Sequence, residues 1–303
     1  MFSAISSRRT LSPRPLITPE LLGLSPRQAP APVQTPAARA LQAALQARRL
    51  TPEAVAAYAE LLLRDDAGRP ITPAAHHALW LRLLCDERIK RLLIIAPPES
   101  AKTTWLISAF AGCYVGLWPE RNIIIGSVSD EVAEKRALSL RAMVESPAWQ
   151  AAFPGILPVK ASVGLKWTTA EWSVAPAGQP RPGRIHPTVF AVGRGGSVIG
   201  SRSDLLIGDD LLDFDSTRTQ HQRSQGEQWI HNSFLSRVKA RVGRAMIIGN
   251  AWHADDYYAK ARRQGGWVVC HMSLLGDGPD VYATLTYPDN WTHEVLGEPI
   301  GQA

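Results

Sequence analysis

Short apolar runs recur along this chain, each closed by turn residues and followed by a longer amphipathic or polar stretch. They are Arg91–Ala96 (RLLIIA), Asn122–Ser127 (NIIIGS), Asp204–Gly208 (DLLIG), Arg244–Gly249 (RAMIIG) and Trp267–Ser273 (WVVCHMS). Apolar runs this short, without alternation, predict strands buried on both faces. The intervening segments Lys102–Gly116, Asp130–Glu145 and Asp255–Gln264 read as helices, and Ser216–Lys239 as one long polar helix. Ser129 or Asp130 would cap the second of these. Two less regular strand-like pieces lie around Trp167–Val174 and Thr188–Val192. Upstream, Pro36–Arg49, Pro52–Arg64 and Thr72–Cys85 have helical composition, with Thr51 before Pro52 as a cap followed by proline at the first helical position. Strands alternating with helices predict an α/β fold, a mainly parallel sheet flanked by helices, with a helical N-terminal region. Ligands of such sheets sit beyond the carboxyl ends of the strands.

The first strand leads into chemistry. Arg91–Trp105 reads RLLIIAPPESAKTTW, a strand, a tight loop and Lys-Thr-Thr opening a helix. That is the layout of a P-loop, G-x-x-x-x-G-K-[ST], with Ala96 and Ala101 in place of the glycines. Backbone N–H groups at a helix N-terminus hold phosphate oxygens. The cradle would comprise Pro98, Glu99, Ser100, Ala101, Lys102, Thr103 and Thr104, with Lys102 on the outer phosphates and the Thr103 hydroxyl on Mg²⁺. Alanine resists conformations that glycine takes freely, so the bland alternative is a strand–loop–helix without ligand. A second motif, SDLLIGDDLL from Ser203 to Leu212, ends a strand in Asp209 and Asp210. An ATPase needs one carboxylate for Mg²⁺ and one group to orient the attacking water. Asp209 suits the first task and Asp210 the second; an acidic turn after a strand is the alternative. A third strand ends at Gly249–Asn250, where an amide could touch the γ-phosphate, or simply precede a helix capped by Asp255.

Composition narrows the picture modestly. With 303 residues and Lys plus Arg at 33 against Asp plus Glu at 27, the chain is basic and has room for one large domain or two small ones. Such a balance is compatible with nucleic acid. Cys85, Cys113 and Cys270 are far apart in apolar surroundings and predict buried free thiols. No apolar run is long enough to span a bilayer and the N-terminus has no secretory pattern, so a cytoplasmic protein without membrane contact is expected. Residues 1–35, rich in Pro, Ser, Ala and Arg, read as a flexible arm. The pair His76–His77 lacks further ligands and reads as a helix face packed near the nucleotide.

In order and spacing, these motifs resemble those of phage terminase large subunits, the motors that package DNA into procapsids. ITPAAHHALWLRLL, IIAPPESAKTTW, WQAAFPG, VGRGGSVIGSRSDLLIGDDLLD and IIGNAWHADDYY carry the likeness. It implies a P-loop NTPase domain over 36–275, using ATP and Mg²⁺ to drive double-stranded DNA, with a linker-like tail at 276–303. The implied partners are a portal protein, a terminase small subunit and further copies in a ring, in the host cytoplasm at the procapsid portal. The implied catalytic set is Lys102, Asp210, Asn250 as the coupling residue, and an arginine. Glu99 stands where many relatives carry that arginine, so it would come from a neighbouring subunit, with Arg202 and then Arg194 as candidates. The family's nuclease is expected to be missing, because the chain stops about where it would begin, and Asp277, Asp280 and Asp289 read as loop acids. The competing expectation is a degenerate, non-catalytic nucleotide-binding module from a prophage remnant.

Overall fold

Proline and threonine set the first elements of the computed structural model, which describes residues 35–159, 166–179, 186–198, 200–272 and 284–288. Residues from Pro36 onward form one unit; residues 1–34 of the arm expected at 1–35, and the loop acids Asp277, Asp280 and Asp289, lie outside the described residues. Helix α1 (Pro36–Ala47) is followed by α2 (Pro52–Leu62), where the Thr51 hydroxyl accepts from Ala54 N–H and proline occupies the first turn. Next come α3 (Ala75–Cys85) and β1 (Arg91–Ile95). The helix after the loop is π-wound over Thr104–Ala111 and continues as α4 (Gly112–Leu117). Strand β2 (Ile123–Ser127) precedes α5 (Asp130–Glu145), capped by the Ser129 hydroxyl on Val132 N–H.

Two elements escape the hydrophobic pattern because they are short: α6 (Pro147–Ala152), capped by Ser146, and β3 (Ile156–Pro158). The expected strand at Trp167–Val174 is two pieces, β4 (Glu171–Trp172) and β5 (Val174–Pro176), which join different sheets. Then follow β6 (Val189–Gly193) and β7 (Leu205–Asp209). The long polar helix expected at Ser216–Lys239 is broken. Asp213 and Thr219 each form a reciprocal capping box, which restarts the chain as α7 (Phe214–Thr217) and α8 (Gln220–Gln228). A π-wound stretch, Trp229–Phe234, and a 3₁₀ turn, Leu235–Arg237, close it. Strand β8 (Arg244–Gly249) leads to α9 (Tyr257–Gln264). Its cap is Asp256 rather than Asp255: the buried Asp256 carboxylate accepts from Ala259, Trp252 and His253 N–H, whereas Asp255 faces Arg263. The series closes with β9 (Val268–His271) and β10 (Thr284–Thr286), the latter in a tail where the sequence offers no clear element.

The main sheet has eight strands in the order β10-β9-β1-β8-β7-β2-β6-β4. All pairs from β9 to β6 are parallel, and the edge strands β10 and β4 are antiparallel. Side chains alternate between two cores. Leu92, Ile94, Ile123, Ile125, Leu205 and Ile207 pack on one face with Tyr58, Trp80 and Phe110. Leu93, Ile95, Ile124, Leu206 and Ile247 pack on the other with Phe234 and Tyr258. Helices thus cover both faces, which is why the strands show no polar alternation. Between β1 and β2 the chain passes over β8 and β7, and that reversal opens a crevice at the carboxyl ends.

Candidate active site

The loop from Ala96 to Ala101 rises from the carboxyl end of β1, pinned where Ala96 N–H donates to Gly249 O at 3.0 Å. Glu99 (φ 62°) and Ala101 (φ 55°) both adopt the left-handed conformation that glycine prefers. At the place of the second glycine Ala101 takes the left-handed conformation and carries its strain, on the order of 1–2 kcal/mol. Pro98, Glu99 and Ala101 are exposed, and Ser100, Thr103 and Thr104 are half-buried, so the loop backbone faces outward around a helix N-terminus. Ser100 is fixed twice: its hydroxyl donates to Pro97 O at 2.8 Å, and its carbonyl accepts from His77 Nε2 at 3.0 Å. His77 Nδ1 accepts from Ala74 N–H at 3.1 Å, which puts the ring proton on Nε2. Burial pulls His77 down to about 4, which keeps it neutral. The His76–His77 face does pack against the loop, with the His77 ring 5.0 Å from Trp105.

Lys102 is buried, and its ammonium donates to Pro97 O at 2.7 Å and to Asn250 Oδ1 at 2.9 Å. Burial pulls its pKa down, against the pull of Asp210 and Asp209. Asn250 itself follows β8, whose last residue needs glycine because a Cβ on Gly249 would meet the Tyr258 ring at 2.7 Å. From β7 comes Asp209, fully buried, whose Oδ2 accepts from Thr103 Oγ1 at 2.9 Å. Its backbone carbonyl accepts from Ser127 Oγ at 2.7 Å, tying the end of β2 to the same point. Asp210 turns the chain at φ 47°, with its N–H on Ile248 O at 2.9 Å. One of its carboxylate oxygens is buried without a hydrogen-bond partner. Burial, then the neighbouring Asp209, push Asp210 up to about 6.

Arg136 is the group that the sequence reading missed. Its Nε donates to Asp209 Oδ2 at 2.8 Å, the oxygen that also accepts from Thr103. Burial pushes Asp209 up, and Arg136, Thr103 and Lys102 oppose that. A signal was present: Arg136 lies three residues after Ala133 and four before Leu140, both on the buried stripe of α5. A lone cation on a core-facing stripe calls for a buried carboxylate.

The structure brings together Lys102, Thr103, Asp209, Asp210 and Asn250. It does not bring Arg202 to them, because Arg202 precedes β7 and Asp209 ends it. The Arg202 guanidinium instead donates to Ser236 O at 3.1 Å. Arg194 follows β6 at the carboxyl edge, where its N–H donates to Ser127 O at 2.9 Å and its side chain lines a cleft of about 580 Å³ with Gln222 and Trp229. The donor set suits a nucleotide with Mg²⁺: a hydroxyl and a carboxylate as hard oxygen ligands, an ammonium, and a buried carboxylate oxygen with spare capacity. Among the described residues no group of three or more His, Cys, Asp or Glu comes together. Cys85, Cys113 and Cys270 are buried free thiols away from this chemistry, and no described helix is long and apolar enough to cross a membrane.

No protein-family model matches the chain, and no curated protein matches it. Among solved structures it is similar to the HK97 bacteriophage large terminase, at 13% identity and TM-score 0.46, over 76% of this chain and 45% of that one. It is also similar to the Thermus phage P74-26 large terminase ATPase domain and to an arginine-to-alanine mutant of that domain, each at 15% identity and TM-score 0.46, over 72% of this chain and 78% of theirs. The chain thus spans less than half the length of the HK97 protein. By strand order its fold is α/β, a mainly parallel eight-stranded sheet flanked by helices, and the solved structures it resembles are phage terminases.

Proposed function

We propose that this chain is the ATP-hydrolysing motor domain of a viral DNA-packaging terminase large subunit, moving double-stranded DNA into a procapsid. One observation carries the reading: Lys102, Thr103, Asp209, Asp210 and Asn250, from three separate stretches, meet at the carboxyl ends of β1, β7 and β8. The backbone of Pro98 to Thr104 would cradle the phosphates, with the Lys102 ammonium on the outer ones. Thr103 and Asp209 would hold Mg²⁺, which when bound supplies neutralisation of phosphate charge. Asp210, with one carboxylate oxygen unpartnered, is suited to orient the attacking water and accept its proton. Asn250, in contact with Lys102, would report the state of the phosphates to β8. Arg136 holds Asp209 in register with Thr103 and supplies, in cis, a guanidinium that Glu99 cannot.

A second arginine would come from a neighbouring copy, and Arg194 and Arg202 are the candidates. The partners of this reading are double-stranded DNA, a portal protein, a terminase small subunit and a ring of identical subunits. A non-catalytic nucleotide-binding module is favoured by one feature, alanine at both glycine positions of the loop. The two readings part on DNA-stimulated ATP turnover: the motor hydrolyses ATP faster when duplex DNA is present, and the module binds nucleotide without turnover.

A further inference from the structure

The amino ends of the central strands, opposite the nucleotide site and roughly 20 Å from it by strand length, border a cavity of about 410 Å³. Lys90, Arg121, Arg241 and Arg244 line it, against the two acids Glu87 and Asp204. Asp204 is already engaged, accepting from Lys239 Nζ and from Asn122 N–H at 2.8 Å each. Among the described residues, none of the four cations has a carboxylate at ion-pair distance. Arg244 is 9% exposed and donates only to two neutral carbonyls, Ile89 O at 2.9 Å and Asp86 O at 2.7 Å. Its nearest counter-charges, Asp86 and Glu87, act on it only from beyond ion-pair distance, which is unusual for a buried guanidinium.

The lining has an aromatic wall. Arg121 lies over the Trp118 ring with its guanidinium carbon 4.0 Å from the centroid, which holds that cation flat at the cavity. Lys90 and Arg241 are exposed beside it. Arg241 sits on a tight turn at φ 69°, next to Val242, which is 64% exposed. Arg202 and Arg237 flank the Ser203–Val238 bridge at the same end of the sheet and extend the positive charge.

We propose that this cavity is a phosphate-binding site for the backbone of duplex DNA, at the end of the sheet opposite the nucleotide. Naming duplex DNA rests on the motor reading above; the charge arrangement does not. A row of cations with an aromatic wall fits a polyanion whose charges repeat at short intervals better than a single small anion.

The test is anisotropy of a labelled random-sequence duplex against the full chain over a range of NaCl concentrations. Each phosphate contact contributes about 0.9 to the log–log salt slope, so Lys90→Glu with Arg241→Glu should lower the slope by roughly 2 and weaken binding at least tenfold, whatever the sequence. Lys90→Arg with Arg241→Lys should bind as the wild type does. Binding of a fluorescent ADP should be the same in all forms, since neither residue touches that site; failure of ADP binding in the wild type would sink the motor reading, whereas the cavity's role as a duplex site stands or falls on the salt slope and the Lys90 protection. A second measurement needs no variant: in wild-type protein the duplex should slow acylation of Lys90 but not of Lys135 on α5. An unchanged salt slope with Lys90 unprotected overturns the proposal. So does protection by inorganic phosphate but not by the duplex, or by poly-glutamate in preference to it, which would assign the cavity to a small anion or an acidic protein segment.

Discussion

Asp210 concentrates several unfavourable features in one residue: a left-handed backbone, a buried carboxylate and an oxygen without a partner. Its pKa is pushed up to about 6, so the folded protein holds that proton more tightly than the unfolded chain does, where aspartate titrates at about 3.9. Its contribution to stability is therefore greatest at low pH and is lost as pH rises from about 4 to about 6, leaving a cost of up to about 3 kcal/mol at neutrality. Asparagine tolerates the left-handed conformation and carries no charge. Asp210→Asn should then be more stable than wild type at pH 7, by up to about 3 kcal/mol, and equal to it near pH 4. His77, pulled down to about 4, contributes with the opposite sign in the same range. The difference between the two proteins in urea denaturation cancels it. Equal stability at both pH values would mean that Asp210 is not desolvated as described.

Other residues follow the same logic. Arg136→Ala leaves Asp209 buried beside Thr103 without its guanidinium, which should cost about 3 kcal/mol in urea denaturation, with partial recovery in Arg136→Lys. No loss in Arg136→Ala would show that the contact is dispensable. Ala101→Gly relieves the strained φ and should raise the urea midpoint at constant m, a gain in stability of up to about 1 kcal/mol. The meeting of Lys102, Thr103, Asp209 and Asp210 at strand ends was legible because their spacing after apolar runs announces it. Arg136 was not, because its partner lies on another strand and only the buried stripe of α5 hints at it.

At the scale of elements, the central parallel strands β1, β2, β7, β8 and β9 were legible, since double burial leaves unbroken apolar runs, whereas the short strands β3, β4, β5 and β10 were not. Helices fared well where a cap is written in the sequence, as at Thr51 and Ser129. The segment after β7 was misread as one helix because its polar composition is continuous, and only the capping boxes at Asp213 and Thr219 divide it. The loop from Ala96 to Ala101 leans on α3 through His77, whose two ring nitrogens join Ala74 N–H to Ser100 O. His77→Ala should loosen the loop. Nucleotide affinity should fall about tenfold, roughly the 1.4 kcal/mol of one well-made buried hydrogen bond, while turnover at saturating ATP changes much less. A drop in turnover with unchanged affinity, read by titration with a fluorescent ADP, would assign His77 a different task.

For the whole molecule, Arg202 and Asp209 stand at opposite ends of β7, so any role for Arg202 in hydrolysis requires a second copy. Arg194, at the carboxyl edge, is the other candidate. Turnover per subunit should rise with protein concentration, and mixing Lys102→Ala with the variant lacking the trans arginine should restore part of the activity. A mixture as inactive as its components, with turnover independent of concentration, excludes a shared site. The sequence pointed to a neighbouring copy only through Glu99 standing where the family resemblance expects an arginine, because symmetry between copies leaves no pattern along a single chain.

The central claim, that carboxylates on β7 and the loop on β1 hydrolyse ATP together, is tested most directly by single-turnover ATP hydrolysis with duplex DNA present, in wild type and Asp210→Asn. The account predicts turnover in the wild type and a loss of about 10²–10⁴ in the variant, with ATP bound about as tightly as before. Hydrolysis by Asp210→Asn at the wild-type rate, or nucleotide binding without hydrolysis in the wild type, would contradict it.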